Sequence, residues 1–207
     1  MNKKRLCLAG GCLIIFLIIT YVVSKGQVLA FDTVIREWFY SIRTPWLTEI
    51  VKAITFMGNT KTIVALCILF IIIPKITKKY GIPIAVTAIV GSAINKIIKH
   101  TMLRPRPDVS LHLIEQGGWS FPSGHSISGL LMYGLLAWLI LRYARNQKFR
   151  IIAAVLLTLL WVGVGLSRIY LGVHYPTDVL GGWLLGMVIL MITIAVIEKI
   201  EEKRKAK

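Results

Sequence analysis

The stretch LCLAGGCLIIFLIITYVVS, residues 6–24, runs for 19 residues without a charge, and VLGGWLLGMVILMITIAVI, residues 179–197, does the same. A hydrocarbon layer about 30 Å thick is crossed by ~20 helical residues rising about 1.5 Å each. Either stretch is long enough, so the chain reads as an integral membrane protein. Composition agrees: of 207 residues 56% are hydrophobic and 16% charged, with a mean hydropathy of +0.73. Soluble domains carry about 25% charge, so a water-soluble globule and a disordered chain are both excluded. The length leaves no room for a separate soluble domain. One membrane-embedded domain over residues 1–207 is expected, all-α.

Working outward, six spans are read at 6–24, 60–76, 81–98, 124–142, 151–169 and 178–197. The second is the weakest, because its uncharged part is only Thr62–Pro74 and Lys61 and Lys75 must snorkel from its ends. The first follows a basic Asn2-Lys3-Lys4-Arg5 flank. It reads as an uncleaved anchor, since 19 residues exceed a usual signal core and no A-x-A site follows.

The formal net charge is +16, but the basic residues lie between the spans rather than on one soluble face, so a nucleic-acid partner is excluded. Fifteen of the 25 fall on the side that holds the N-terminus, in short dense groups such as Lys75-Lys78-Lys79 and Lys203-Arg204-Lys205-Lys207. By the positive-inside bias this predicts both termini inside. Cys7, Cys12 and Cys67 lie within apolar runs and read as small buried hydrophobes.

Between the first two spans, residues 25–59 are long for a loop. Phe31, Val34, Ile35, Trp38, Phe39 and Ile42 recur at helical spacing, with Asp32, Arg36 and Glu37 between them. An amphipathic interfacial helix is expected, with Trp38, Phe39, Tyr40 and Trp46 at headgroup depth. It serves either as a connector packed on the bundle or as a lid for a lipid.

Three polar clusters break the apolar pattern: residues 99–107, residues 120–125, and Ser167-Arg168 with Tyr170, His174, Pro176 and Asp178. Helix parity puts all three on the outer face, as one site. Lys99, Arg104, Arg106 and Arg168 are cations suited to an anion, and a guanidinium fork fits phosphate. Ser123 is placed to cap the fourth span, and Gly124 lets backbone N–H groups approach an anion. Asp178 falls in the first turn of the last span, where the helix dipole favours a carboxylate, within reach of His174. A carboxylate-held histidine facing a second histidine amid cations fits phosphoryl transfer through a covalent intermediate. His174 attacks, Asp178 orients it, and His125 is acid and then base.

Lys99-x6-Arg106-Pro107, Pro122-Ser123-Gly124-His125 and Ser167-Arg168-x5-His174-x3-Asp178 together match the three-part signature of the type 2 phosphatidic acid phosphatases, which this chain resembles over nearly its whole length. The resemblance implies His174 as nucleophile, His125 as acid/base and Asp178 as its partner. It implies Lys99, Arg106, Ser123, Gly124 and Arg168 as the phosphate-binding set, a membrane lipid phosphate as substrate, and neither metal nor other cofactor. Phosphatidylglycerophosphate is the first expectation for that substrate and undecaprenyl pyrophosphate the second. Arg104 is left between phosphate ligand and bystander. Lys96, His100 and His112 read as solvated or snorkelling. Gly172, Gly181, Gly182 and Gly186 read as sites of close helix approach.

Rival readings are weaker. Gly124-His125-Ser126-Ile127-Ser128 lacks the last glycine of a serine-hydrolase elbow. A metal site at His125, His174 and Asp178 would sit among repelling cations. An anion transporter would need a polar path through the membrane, not a cluster at one face.

Overall fold

The computed structural model describes residues 3–26 and 28–206. Asn2 and Lys207, read above as parts of basic flanks, and Gln27 in the first connector lie outside them. The long elements among the described residues are all helices: α1 (Lys3–Ser24), α2 (Ala30–Ser41), α3 (Pro45–Phe56), α4 (Thr60–Ile72), α5 (Pro74–Met102), α6 (Gly124–Tyr143), α7 (Gln147–Tyr170) and α8 (Pro176–Lys205). Side chains fix several starts. Thr44 accepts from Leu47 N (3.4 Å), Asn59 from Lys61 N (3.2 Å) and Asn146 from Phe149 N (2.9 Å). Each thereby satisfies a donor that a helix start leaves without a partner.

α1, α5, α6, α7 and α8 are each long and apolar enough to cross a bilayer. The weak second span resolves differently from expectation. α4 has 13 residues, about 20 Å of helix, and stops at Ile73 because the residue before Pro74 is driven out of the helical region. It reaches membrane length only together with α3, from which it is bent by 46°, giving up to six crossings. Lys75, Lys78 and Lys79 are therefore helical residues of α5, not a loop.

The 25–59 segment is likewise two helices, broken where Pro45 forces Thr44 to extend (φ −138°, ψ 156°). α2 has two unlike faces. Phe31, Val34 and Trp38 are exposed, whereas Asp32 is fully buried. Trp46 is also outward, but Phe39 packs against Val51, Tyr170, Leu171 and Val173. An outward apolar side chain meets lipid here, so an inward acid is feasible wherever a cation answers it.

α6 is the central helix. Leu130, Leu131, Met132, Leu135 and Leu139 are buried against Ile84 of α5 and Ile189, Leu190 and Ile194 of α8. α1 lies along α8, joined at one end by Arg5–Glu198 (2.5 Å) and stacking Phe16 on Phe121 near the other. Between apolar helices in lipid, close packing supplies the cohesion, and α8 uses glycine for it. A Cβ on Gly182 would stand 2.8 Å from Ser123 O, and one on Gly181 2.7 Å from the Phe121 ring. Gly172 departs from the expected role. It is in a turn at φ +79°, with Leu111 O 2.1 Å from where a Cβ would be. The cysteines also differ: Cys7 is exposed and the other two half-buried, Cys67 packing against the central core.

Candidate active site

The start of α8 organises the site. Pro176 occupies the first helical position and needs no donor there. Asp178, two residues on, accepts the Tyr175 N–H at Oδ2 (2.8 Å), the reciprocal half of a capping box. The Gly172 turn brings the chain back so that His174 lies directly under this carboxylate. Nδ1 of His174 is 3.3 Å from Asp178 Oδ2 and 3.2 Å from Ser120 Oγ, and that hydroxyl donates to the same Oδ2 at 2.5 Å. On the other side of the ring, Arg106 Nη1 stands 3.0 Å from Nε2. A guanidinium only donates, so Nε2 accepts and the proton of the neutral ring is on Nδ1, facing Asp178. The lone pair for attack is on Nε2, beside Arg106.

His174 is 2% exposed. Burial holds its pKa well below the ordinary 6.5, and Arg106, Lys99, Arg168 and Arg104 push it further the same way. Burial also lowers the pKa of Arg106, with Asp178 opposing.

The start of α6 is bonded to that of α8. Ser123 caps α6, accepting from Ser126 N (3.4 Å), and its own N–H donates to Asp178 O (3.0 Å). Gly124 faces Asn95, whose Nδ2 a Cβ would approach to 3.1 Å. His125 follows, half-buried against Gly58 at the α3–α4 bend, within electrostatic reach of Arg168, His174, Arg106 and Lys99.

The cations arrive from three elements. Lys99, in the last turn of α5, donates to Trp119 O (2.5 Å) and Ser120 O (3.0 Å). Arg106 donates to Gly117 O and Gly118 O (2.9 Å each) and Val173 O (2.7 Å). Arg168, in the last turn of α7 and 1% exposed, donates to Thr55 Oγ1 (2.8 Å) and to Gln116 Oε1. Residues 116–120 thus supply oxygen acceptors to all three. These are the acceptors a phosphate's oxygens would replace.

All eight residues expected of the site therefore gather around the facing starts of α6 and α8. Arg104 stands apart in function. Its Nη1 donates to Asp178 Oδ1 (2.6 Å) and Thr177 Oγ1 (2.8 Å), and its Nη2 to Asp32 Oδ2 (2.9 Å). His112 is half-buried and bonded to Pro107 O (3.0 Å) rather than solvated. Thr55, Gln116 and Thr177 escaped the sequence reading, and Asp32 and Ser120 were named there without a role in the site. Their contacts are long-range, and no local spacing marks them. Among the described residues no three His, Cys, Asp or Glu side chains gather as a metal would need.

Residues 80–202 match the PAP2 superfamily. The chain belongs to that superfamily. It is 31% identical over 196 residues to phosphatidylglycerophosphatase B of Bacillus subtilis, covering 92% of this chain and 95% of the relative. It is 32% identical over 146 residues to an undecaprenyl-diphosphatase of Sulfolobus acidocaldarius, covering 66% of each. The crystal structure of a transmembrane PAP2-type phosphatidylglycerolphosphate phosphatase from Bacillus subtilis superposes with a TM-score of 0.83 at 28% identity, over 93% of this chain and 96% of that one. This PAP2 protein is accordingly a multi-pass membrane hydrolase, a phosphatase of membrane lipid phosphates.

Proposed function

We propose that the protein hydrolyses phosphatidylglycerophosphate to phosphatidylglycerol, without a metal, through a phosphohistidine on Nε2 of His174. The observation that carries the substrate is the similarity to phosphatidylglycerophosphatase B along almost the entire chain. The geometry supports the chemistry. Nε2 attacks phosphorus, the N–P bond forms and the P–O bond to the glycerol breaks, with His125 giving the leaving oxygen its proton. A water then attacks phosphorus, His125 takes that water's proton, and the N–P bond breaks to release phosphate. Asp178 steadies the positive charge on the phosphorylated ring. Lys99, Arg106, Arg168, the Ser123 hydroxyl and the Gly124 backbone N–H hold the three equatorial oxygens.

Undecaprenyl pyrophosphate is the second reading, favoured by the relative of that activity; it offers the same terminal phosphate on a prenyl chain. We place both termini inside and the site at the extracytoplasmic headgroup level, in one domain spanning residues 1–207. Supporting this, His174, Ser123, Lys99 and Arg168 all lie at one end of their helices, while Arg5, Arg142, Glu198 and Glu201 pair at the other.

The test is phosphate release by purified protein in detergent with excess chelator, across phosphatidylglycerophosphate, undecaprenyl pyrophosphate, phosphatidic acid and diacylglycerol pyrophosphate. Turnover is expected to be fastest on the first and to be inhibited by vanadate. Dependence on an added divalent metal would replace this mechanism.

A further inference from the structure

We propose that Asp32, on the interfacial helix α2, is a positioning residue for the reaction: acting through Arg104 and Thr177, it holds Asp178 in the orientation that His174 needs. This deepens the phosphatase reading above and rests on it.

The contacts form a closed chain across 146 residues of sequence. Asp32 Oδ1 accepts the Thr177 N–H (2.8 Å), and Oδ2 accepts Thr177 Oγ1 (2.8 Å) and Arg104 Nη2 (2.9 Å). The other arm of Arg104 reaches Asp178 Oδ1 (2.6 Å). Asp32 and Asp178 are fully buried and Arg104 is 7% exposed, with the Tyr175 ring centred 4.2 Å from the guanidinium carbon.

The effect on Asp178 is geometric and electrostatic. Its Oδ2 serves His174, Ser120 and Tyr175 N, whereas its Oδ1 is held by Arg104. A carboxylate is planar, so fixing Oδ1 decides where Oδ2 points. Arg104 is a single cation between two acids. With Asp32 in place, the trio keeps a net negative charge beside the His174 ring. Without Asp32, Arg104 neutralises Asp178 alone and draws it away from the imidazole. Breaking one member of a buried ionic set leaves the others uncompensated. The phosphorylated ring, which is cationic, then loses its counter-charge. α2 also presents Phe31, Val34 and Trp38 outward, so the clip runs from a lipid-facing helix to the catalytic carboxylate.

The experiment compares wild type with Asp32→Asn, Arg104→Lys and the double variant, on the monodisperse fraction in detergent. The substrate is short-chain phosphatidylglycerophosphate, with kcat, KM and the rate of phosphohistidine formation after rapid quenching as readouts. Asp32→Asn is expected to lower kcat and the phosphorylation rate about 10- to 100-fold while KM stays within about threefold. The double variant should be no slower than Arg104→Lys alone, because Asp32 acts through Arg104. An unchanged kcat per folded molecule, or losses that multiply, would overturn the proposal. Should Asp32→Asn fail to fold, Asp32→Asn with Arg104→Met removes one charge of each sign and keeps the trio's net charge on Asp178 beside His174. Folded but slow supports the clip. Folded with wild-type kcat, or again unfolded, overturns it by making Asp32 a strut of the fold alone. A wild-type protein inactive on every lipid phosphate would remove the phosphatase reading itself, a result distinct from all of these.

Discussion

Arg106 Nη1 donates to Nε2 of His174 at 3.0 Å, so in the proposed mechanism one guanidinium serves both the attacking nitrogen and the substrate phosphate. An arriving phosphate offers Arg106 charged acceptors in place of a neutral ring nitrogen and four carbonyls. Charge-assisted bonds are the stronger ones, so binding itself frees Nε2.

Arg106→Lys tests this coupling. A lysine keeps the charge but cannot serve the ring and a phosphate from one planar fork. Both KM and kcat should worsen, with kcat/KM down about 100-fold or more. An effect within threefold would mean that Arg106 supplies charge alone.

His174 should stay neutral through the ordinary imidazole range. Its folded-state pKa is depressed, so the ring takes its proton only at pH well under 6.5. The sign for stability follows: the unfolded chain binds that proton first, so this group works against the fold as pH falls below 6.5. NMR of ring-labelled histidine, assigned with a His174→Gln variant, should show no His174 titration between pH 7.5 and 5.5. A midpoint at or above 6.5 would contradict the burial argument.

The two histidines should separate in a quench experiment. His125→Ala retains the nucleophile and should accumulate acid-labile, alkali-stable phosphoprotein with a substrate whose leaving group departs unprotonated, such as nitrophenyl phosphate. His174→Ala should trap none and fall to background turnover. Equal labelling of both variants would reverse the assignment.

Gly182→Val should loosen the joint between α6 and α8. Its Cβ would lie 2.8 Å from Ser123 O and 2.9 Å from Ser126 Cβ, neither of which can yield without moving the helix start. A loss of about 1–3 kcal/mol is expected for such overpacking, read as a lower Tm in detergent, with activity falling further because the cap at Ser123 shifts.

Membrane orientation is read by labelling. With Cys7, Cys12 and Cys67 replaced by alanine, Glu115→Cys should react with an impermeant thiol reagent in intact cells and Lys148→Cys only after permeabilisation. The opposite pattern would invert the topology.

Membrane class, most of the spans and the eight candidate residues that the fold gathers were legible in the sequence. A crossing needs only a long uncharged run, and the phosphate-binding and histidine groups stand in three short motifs. The starts of α6 and α8 were legible too, because Ser123, Pro176 and Asp178 act within one helical turn of themselves. Three features depended on tertiary structure. α4 was too short to cross alone and borrowed length from α3 through a bend. The amphipathic pattern of residues 31–42 is present in α2, but only the fold shows that its inward side carries a fully buried Asp32. Asp32, Thr55, Gln116 and Ser120 take part through partners between 52 and 145 residues away. A buried charge or hydroxyl is tolerated only where the folded chain delivers its partner. The sequence therefore singled out the candidate groups, and the packing of α2, α3 and the 107–120 connector decided what holds them.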